Sequence, residues 1–468
     1  MTAFLECSVC GSKFDGFPPK CSCENCGGLL EYKYDYERFK TARFTGRFSF
    51  WRYRQFMPEV KNAVSMGEGG TPIHKAQRLT KVIEFGDFYF KDETRNPTNS
   101  FSDRCATLLV SNALDLGYRS VVCATNGNLG ASLAAYCAKF ELACHVVVPK
   151  SVDVGKLAQM LIYDAVVEEY GDIVDKALER AMEIAEETGW YQGSVELNPL
   201  GVEALKTIAY EVFEQIGVPE WFIVPMGSGG TLYAMWKGFK ELEIAGKTSK
   251  LPKIVGVQAE GCPPIVNAYL RKTQKPFLKM KPSTHALAIL VKNPTYGGLA
   301  LNAIKESKGL ALAVSDEEIF LAEREMAKFE GIFAEPASAA TYAAAKKLAN
   351  QGLIGKMDKI VCLITGSGLK ATDVLQALTK KRKMAVVGLE LSTKEKILKI
   401  LSERDAYGYE LWKELGKVMT RAAVYQHLNE LSSRGLITSY ERDGRKFFKI
   451  TKRGEKVLQA FDDLKLLL

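Results

Sequence analysis

The chain has 468 residues, of which 47% are hydrophobic, and a formal net charge of +8. That is more than one ordinary core can absorb, so two to four domains are expected. No apolar run of about 18 residues suits a membrane span, and cysteines and charges in the first ten positions do not make a secretory leader; a cytoplasmic protein is expected.

The N-terminal stretch concentrates cysteine. Of the 11 cysteines, five lie between Cys7 and Cys26, while others, such as Cys105, Cys123 and Cys362, sit in apolar runs. Buried thiols in a reducing compartment fit this usage better than a disulfide framework. Cys7-x-x-Cys10 and Cys23-x-x-Cys26 each place two thiolates in a tight turn. Four such sulfurs suit one tetrahedral Zn²⁺, with Gly11, Gly27 and Gly28 permitting the turns. A closed four-thiolate site leaves no room for substrate, so the zinc is expected to be structural. Cys21 is a spare that could compete with Cys23. Residues 1–35 form this ribbon, and the aromatic, basic stretch 36–65 is a connecting arm.

From about residue 66 the pattern alternates. Short β-branched runs at 121–125, 144–149, 221–225, 253–258 and 359–365 read as strands buried on both faces. Amphipathic helices are expected between them, as at 128–140 and 317–330. Strand–helix alternation over some 310 residues predicts an α/β fold with two parallel sheets. Glycine-bearing segments come directly after three of the strands, at 124–132, 225–231 and 365–370, and the polar stretch 91–104 forms a fourth loop. Such loops gather a ligand at the carboxyl edge of a sheet, where backbone amides suit an anion.

A basic run at 380–383 marks the next boundary, giving a linker over 379–391. Residues 390–468 carry roughly half of the net charge in about a sixth of the chain, which suits a polyanionic partner or merely a solvated surface. Helices are expected over 392–405, 407–416 and 420–435, the last capped by Thr420 with Val424, Leu428 and Leu431 inward. Residues 436–451 alternate around Asp443-Gly444, a hairpin signal. A final amphipathic helix, 452–468, ends in an apolar LKLLL suited to dimerisation. Three helices and a two-stranded wing make a winged helix-turn-helix.

Specific motifs sharpen this outline. GEGGTP (67–72), FKDE (90–93), NPTNSFSDR (96–104), NGNLGAS (126–132), MGSGGT (226–231), VGVQAEG (255–261), VSDEEI (314–319), EGIFAEPASAA (330–340) and TGSGLK (365–370) stand in the order seen in threonine synthases. Residues 1–378 resemble that family, which belongs to the tryptophan-synthase-β-like class of pyridoxal phosphate enzymes, fold type II. The resemblance implies a pyridoxal phosphate domain of two parallel-sheet subdomains over 36–378. It implies that Asn128 meets the cofactor's phenolic oxygen, that Gly227, Ser228, Gly229, Gly230 and Thr231 cradle its phosphate, and that Thr365 faces the pyridine nitrogen. It also implies that Thr125, Asn126 and Gly127 receive a substrate carboxylate, and that Thr98, Ser100 and Arg104 meet the substrate's phosphorylated end. Loop capping is the plainer role for Thr98 and Ser100.

One departure is chemically severe. The family's Schiff-base lysine falls at Ser102; Asn99 and Cys105 also stand where glycines are usual. A hydroxyl cannot form an imine or shuttle protons as an amine does. Three readings compete: a pocket kept without its chemistry, rescue by Lys91 or Lys370, or a chain altered to trap a ligand. The first leaves cofactor held without a covalent bond, its amino-acid adduct, or a phosphorylated amino acid as the ligand.

The segment 392–468 resembles PadR-like regulators in YGYEL (407–411), VYQHLNELSSRGLI (424–437) and ITKRGEKVL (450–458). That implies double-stranded DNA as partner, with helix 420–433 in the major groove. Arg421, Tyr425 and Gln426 would approach bases, and Arg442, Arg445 and Lys446 phosphates. Reading two half-sites implies a homodimer. A winged helix that serves only protein contacts is the alternative. The two resemblances together suggest a ligand-sensing transcriptional regulator of amino-acid metabolism. An active threonine synthase, converting O-phosphohomoserine to threonine and phosphate, is the second reading, and a partner-binding pseudoenzyme without DNA the third.

Overall fold

A computed structural model describes residues 3–83, 86–371, 393–416, 419–442 and 444–466, with 460–466 described by backbone alone. The basic run at 380–383, Asp443 of the hairpin turn and the apolar tail side chains therefore lie outside the described residues. The chain divides into two compact units between residues 373 and 374.

The first unit opens with a three-stranded antiparallel ribbon, in which Phe4–Cys7 lies between Lys13–Asp15 and Leu30–Lys33. The ribbon is tied to the body by buried charge: Lys237 Nζ donates to the Tyr32 carbonyl at 2.5 Å and pairs with Glu203 at 2.5 Å.

Beyond the ribbon lie two parallel sheets, as the alternation predicts. One runs in the order Val166–Glu169, Ala143–Val148, Ser120–Ala124, Tyr191–Gln192. The other runs Leu310–Val314, Lys253–Ala259, Trp221–Pro225, Lys359–Ile364, Asp87–Asp92, Ile73–Lys75, and only the last pairs antiparallel. Every residue of Trp221–Pro225 is buried, because helices cover both faces, which is why these strands read as unbroken apolar runs. Ser315 and Glu318 form a reciprocal capping box on Asp316–Glu325. The expected single helix over 317–330 instead changes to a π turn at Met326–Glu330. No helix among the described residues is long and apolar enough to cross a membrane.

The second unit is a winged helix. A helix over 393–403 precedes Gly408–Glu414 and Arg421–Ser433. The hairpin Ile437–Arg442 with Arg445–Ile450 comes next, then Lys452–Leu466. Thr420 accepts from the Ala423 amide as N-cap. Leu401, Leu411, Val424, Leu428 and Phe448 share the core. The short strand Ala406–Tyr407, which pairs with the wing, is too brief to leave a periodic signal.

Candidate cofactor pocket, cysteine cluster and nucleic-acid face

The ligating atoms of Cys7, Cys10, Cys23 and Cys26 all lie within 4.8 Å of one another. Two turns thus bring four sulfurs to one point, a donor set that could hold a metal ion. Cys21 is outside the cluster.

One cavity lies at the carboxyl ends of strands from both sheets. Ala124 and Thr125, Pro225 and Gly227, and Thr365 contribute to its wall. Four helices begin there: Ser102–Asp115, Asn128–Lys139, Gly230–Ile244, and Pro336–Asn350, which is preceded by its N-cap Glu335. Their amide ends make the cavity a place for anions. The glycines are sterically required at two points. Gly127 has φ of +129°, and a Cβ there would lie 2.3 Å from Lys156 Cδ. Gly229 has φ of +90°, which lets the chain turn into the next helix.

Of the residues expected around a cofactor, Asn128, Gly227, Ser228, Gly230, Thr231 and Thr365 line this cavity, and so does Ser102. Thr125, Asn126 and Gly127 line it too. Gly229 instead supplies the turn that caps Gly230–Ile244.

Two carboxylates without an expected role join the wall, Glu335 within the 330–340 motif and Glu196 outside any motif. Glu335, 1% exposed, accepts from Asn128 Nδ2 at 2.9 Å and from Thr365 Oγ1 at 2.9 Å. Glu196 bonds the Ser228 side chain, and burial pushes its pKa up to about 7. Glu335 stands just before a proline-started helix, a position that marks an N-cap but not a long-range partner. Glu196 sits in a loop without periodic signal.

Ser102 begins its helix and is 5% exposed. No lysine or arginine side chain lines the cavity among the described residues. Nearby amines have fixed partners. Lys91 pairs with Glu211 at 2.6 Å and donates to the Thr71 carbonyl at 2.7 Å. Lys370 donates to the Thr98 carbonyl at 2.8 Å, and burial lowers its pKa to about 8. Lys156, 1% exposed, pairs with Asp153 at 2.8 Å and reaches Glu335 at 3.4 Å.

Arg104, Thr98 and Ser100 are not among the lining residues. Arg104 is a correction to the expected substrate contact. Its guanidinium is fully buried, held by Glu93 at 2.7 Å and Glu211 at 2.7 Å. Burial alone would raise the Glu211 pKa, but Arg104 and Lys91 outweigh it and hold the carboxylate well below its usual range. Thr98 hydrogen-bonds Asp103 at 2.8 Å and Ser132 at 2.9 Å, which is the loop-capping role. Ser100 Oγ is buried without a partner.

In the second unit, Tyr425 and Gln426 border a shallow concavity on the outer face of Arg421–Ser433, with Ala422 and Asn429 beside them. Tyr425 is 43% exposed although its ring packs over Gly408. Arg421 is exposed, with its guanidinium 4.8 Å from the Tyr409 ring and 4.7 Å from Trp412. Arg445 lies over Tyr407 at 5.1 Å and Lys446 over Phe448 at 5.7 Å, both on the exposed wing with Arg442. Aromatic support of this kind orients a cation without neutralising it.

This fold and cavity define a fold-type-II pyridoxal phosphate protein carrying a winged helix. Residues 64–366 match the pyridoxal-phosphate dependent enzyme family, and the chain belongs to it. Residues 397–460 match the transcriptional regulator PadR-like family. The chain is 41% identical over 407 residues to a threonine synthase of Methanocaldococcus jannaschii, a match covering 85% of this chain and 99% of the relative. It is 39% identical over 372 residues to that of Methanosarcina acetivorans, covering 78% and 92%. Among solved structures, a pyridoxal 5'-phosphate-dependent aspartate racemase superposes with a TM-score of 0.55 at 23% identity, covering 64% of this chain and 90% of the other. Threonine deaminase isoform 2 from Solanum lycopersicum gives 0.55 at 20%, covering 65% and 82%. These structural likenesses concern the fold.

Proposed function

We propose that this chain is a ligand-responsive DNA-binding regulator whose sensor is a threonine-synthase-like domain without Schiff-base chemistry. The carrying observation is Ser102 in the cavity wall, with no lysine side chain lining that cavity among the described residues. The cofactor's phosphate end fits: Gly227, Ser228, Gly230 and Thr231 line the cavity at the start of Gly230–Ile244, where backbone amides suit an anion. The covalent anchor does not fit, because a serine hydroxyl cannot take an amine's part.

When bound, pyridoxal phosphate supplies an electrophilic aldehyde on an electron-withdrawing ring. Gly227, Ser228, Gly229, Gly230 and Thr231 hold its phosphate at the start of Gly230–Ile244. Thr125, Asn126 and Gly127 receive a carboxylate at the start of Asn128–Lys139. Thr365, whose hydroxyl donates to Glu335, has no proton left for a pyridine nitrogen and can only accept there. Cys7, Cys10, Cys23 and Cys26 hold a structural zinc. Helix Arg421–Ser433 enters the major groove through Tyr425 and Gln426, while Arg442, Arg445 and Lys446 meet phosphates. Two copies read two half-sites.

A genomic-fragment selection at low salt, repeated with and without pyridoxal phosphate and amino acids, tests this reading. Ligand-dependent retention of a specific site supports it; absence of DNA retention in every condition refutes it.

A second reading, a working threonine synthase, is favoured by the near-complete coverage of the M. jannaschii relative. It needs another amine, and Lys370, with its lowered pKa, is the one to supply it. Steady phosphate release from O-phosphohomoserine supports this reading.

A further inference from the structure

The cavity shows an imbalance between donors and acceptors at one end. Asn128 is 7% exposed, and its Nδ2 donates to both oxygens of Glu335, at 2.9 and 3.1 Å. Its orientation is therefore fixed, since a carboxylate accepts and the amide nitrogen must face it. Asn128 Oδ1 is left buried with no partner. The Glu335 carboxylate is the immediate neighbour of this side chain, and Ser102 lines the same cavity.

Asn128 Oδ1 and the Glu335 carboxylate are acceptors, and neither neighbouring lysine is free to satisfy them. Lys156 is held between Asp153 and Glu335, and Lys370 on the Thr98 carbonyl. A buried unpaired acceptor costs stability until a donor reaches it. An aldehyde brings only another acceptor to this place. A primary ammonium brings three donors and a positive charge beside a carboxylate.

We propose that the pocket selects pyridoxamine 5'-phosphate, the form with an ammonium in place of the aldehyde, over pyridoxal 5'-phosphate. The phosphate occupies the glycine cradle, and the ammonium satisfies Asn128 Oδ1 and the Ser102 hydroxyl in the field of Glu335. No covalent bond forms or breaks. Resting on the regulator reading, this names what the sensor senses: the amino form of the cofactor.

The test is calorimetric titration of the cofactor-stripped full chain with pyridoxamine 5'-phosphate, pyridoxal 5'-phosphate, and pyridoxal 5'-phosphate with excess L-threonine. The expected result is at least tenfold tighter binding of the amine form than of the aldehyde alone. In the third titration L-threonine condenses with the aldehyde to an imine, with loss of water, which carries no primary ammonium; binding of that mixture as tight as pyridoxamine 5'-phosphate overturns the ammonium as the selected group. Ser102→Lys is expected to weaken pyridoxamine 5'-phosphate at least tenfold and to bind the aldehyde covalently. Equal or tighter binding of the aldehyde by the natural chain overturns the proposal. So does binding of neither form, or a Ser102→Lys chain that keeps the amine preference. DNA retention by the same preparations shows separately whether the regulator reading stands.

Discussion

Ser102 and Arg104 stand two residues apart at the start of one helix, in opposite surroundings. Arg104 is enclosed by two carboxylates and has its charge fully matched. Ser102 faces a cavity whose wall holds Glu335 and an unpartnered Asn128 Oδ1. One side has its charges balanced within the chain; the other leaves acceptors for something outside it. The contrast separates a buried scaffold whose charges are matched from a cavity wall that keeps an unpartnered acceptor. The sequence is 41% identical over 407 residues to a threonine synthase, and Ser102 stands within that matched frame.

The comparison can be broken on either side. The largest effect is expected at the cysteine cluster, where four sulfurs converge on one point. Cys23→Ser should reduce one bound zinc per chain to none by metal analysis and unfold the ribbon, since structural zinc binding is worth on the order of 10 kcal/mol in small fingers. On the Ser102 side, Ser102→Lys should raise phosphate release from O-phosphohomoserine by roughly a thousandfold or more, about 4 kcal/mol of barrier. An unchanged rate would mean that more than the lysine has been lost.

Arg104→Ala leaves Glu93 and Glu211 buried without their partner. Urea unfolding should show a loss of about 3–5 kcal/mol, whereas a change near zero would remove the scaffold half of the contrast. On the wing, Lys446→Ala should weaken DNA binding uniformly across sequences and reduce the salt slope by about 1. Tyr425→Ala should instead change which sites are retained.

A pH-linked effect concerns Lys370, whose pKa is lowered by burial from 10.5 to about 8 in the folded chain. The unfolded chain binds more protons there between these values, so stability rises with pH across that window and is lost as pH falls through about 8. Lys370→Met should flatten that rise in denaturant titrations run from pH 8 to pH 10.5.

Much of this architecture is legible in sequence because buried parallel strands leave unbroken β-branched runs, as in Trp221–Pro225. The place of Ser102 is legible because its neighbours Phe101, Asp103 and Arg104 keep the motif. The surroundings of these residues are not. Asn128 meets Glu335 across 207 positions of chain, and Arg104 meets Glu211 across 107. No local period records either pairing, so Arg104 reads as a substrate contact when it is a buried strut. The stacking of Arg421 on Tyr409 and Trp412 escapes for the same reason: it joins two helices whose packing appears only in the folded domain.

The most direct test of the central claim is borohydride reduction of the natural chain with pyridoxal phosphate, followed by peptide mass mapping. A sensor without Schiff-base chemistry gives no stoichiometric adduct on any lysine, with cofactor recovered intact after denaturation. A stoichiometric adduct on Lys370, Lys156 or Lys91 would contradict it and return the chain to the working enzymes of its family.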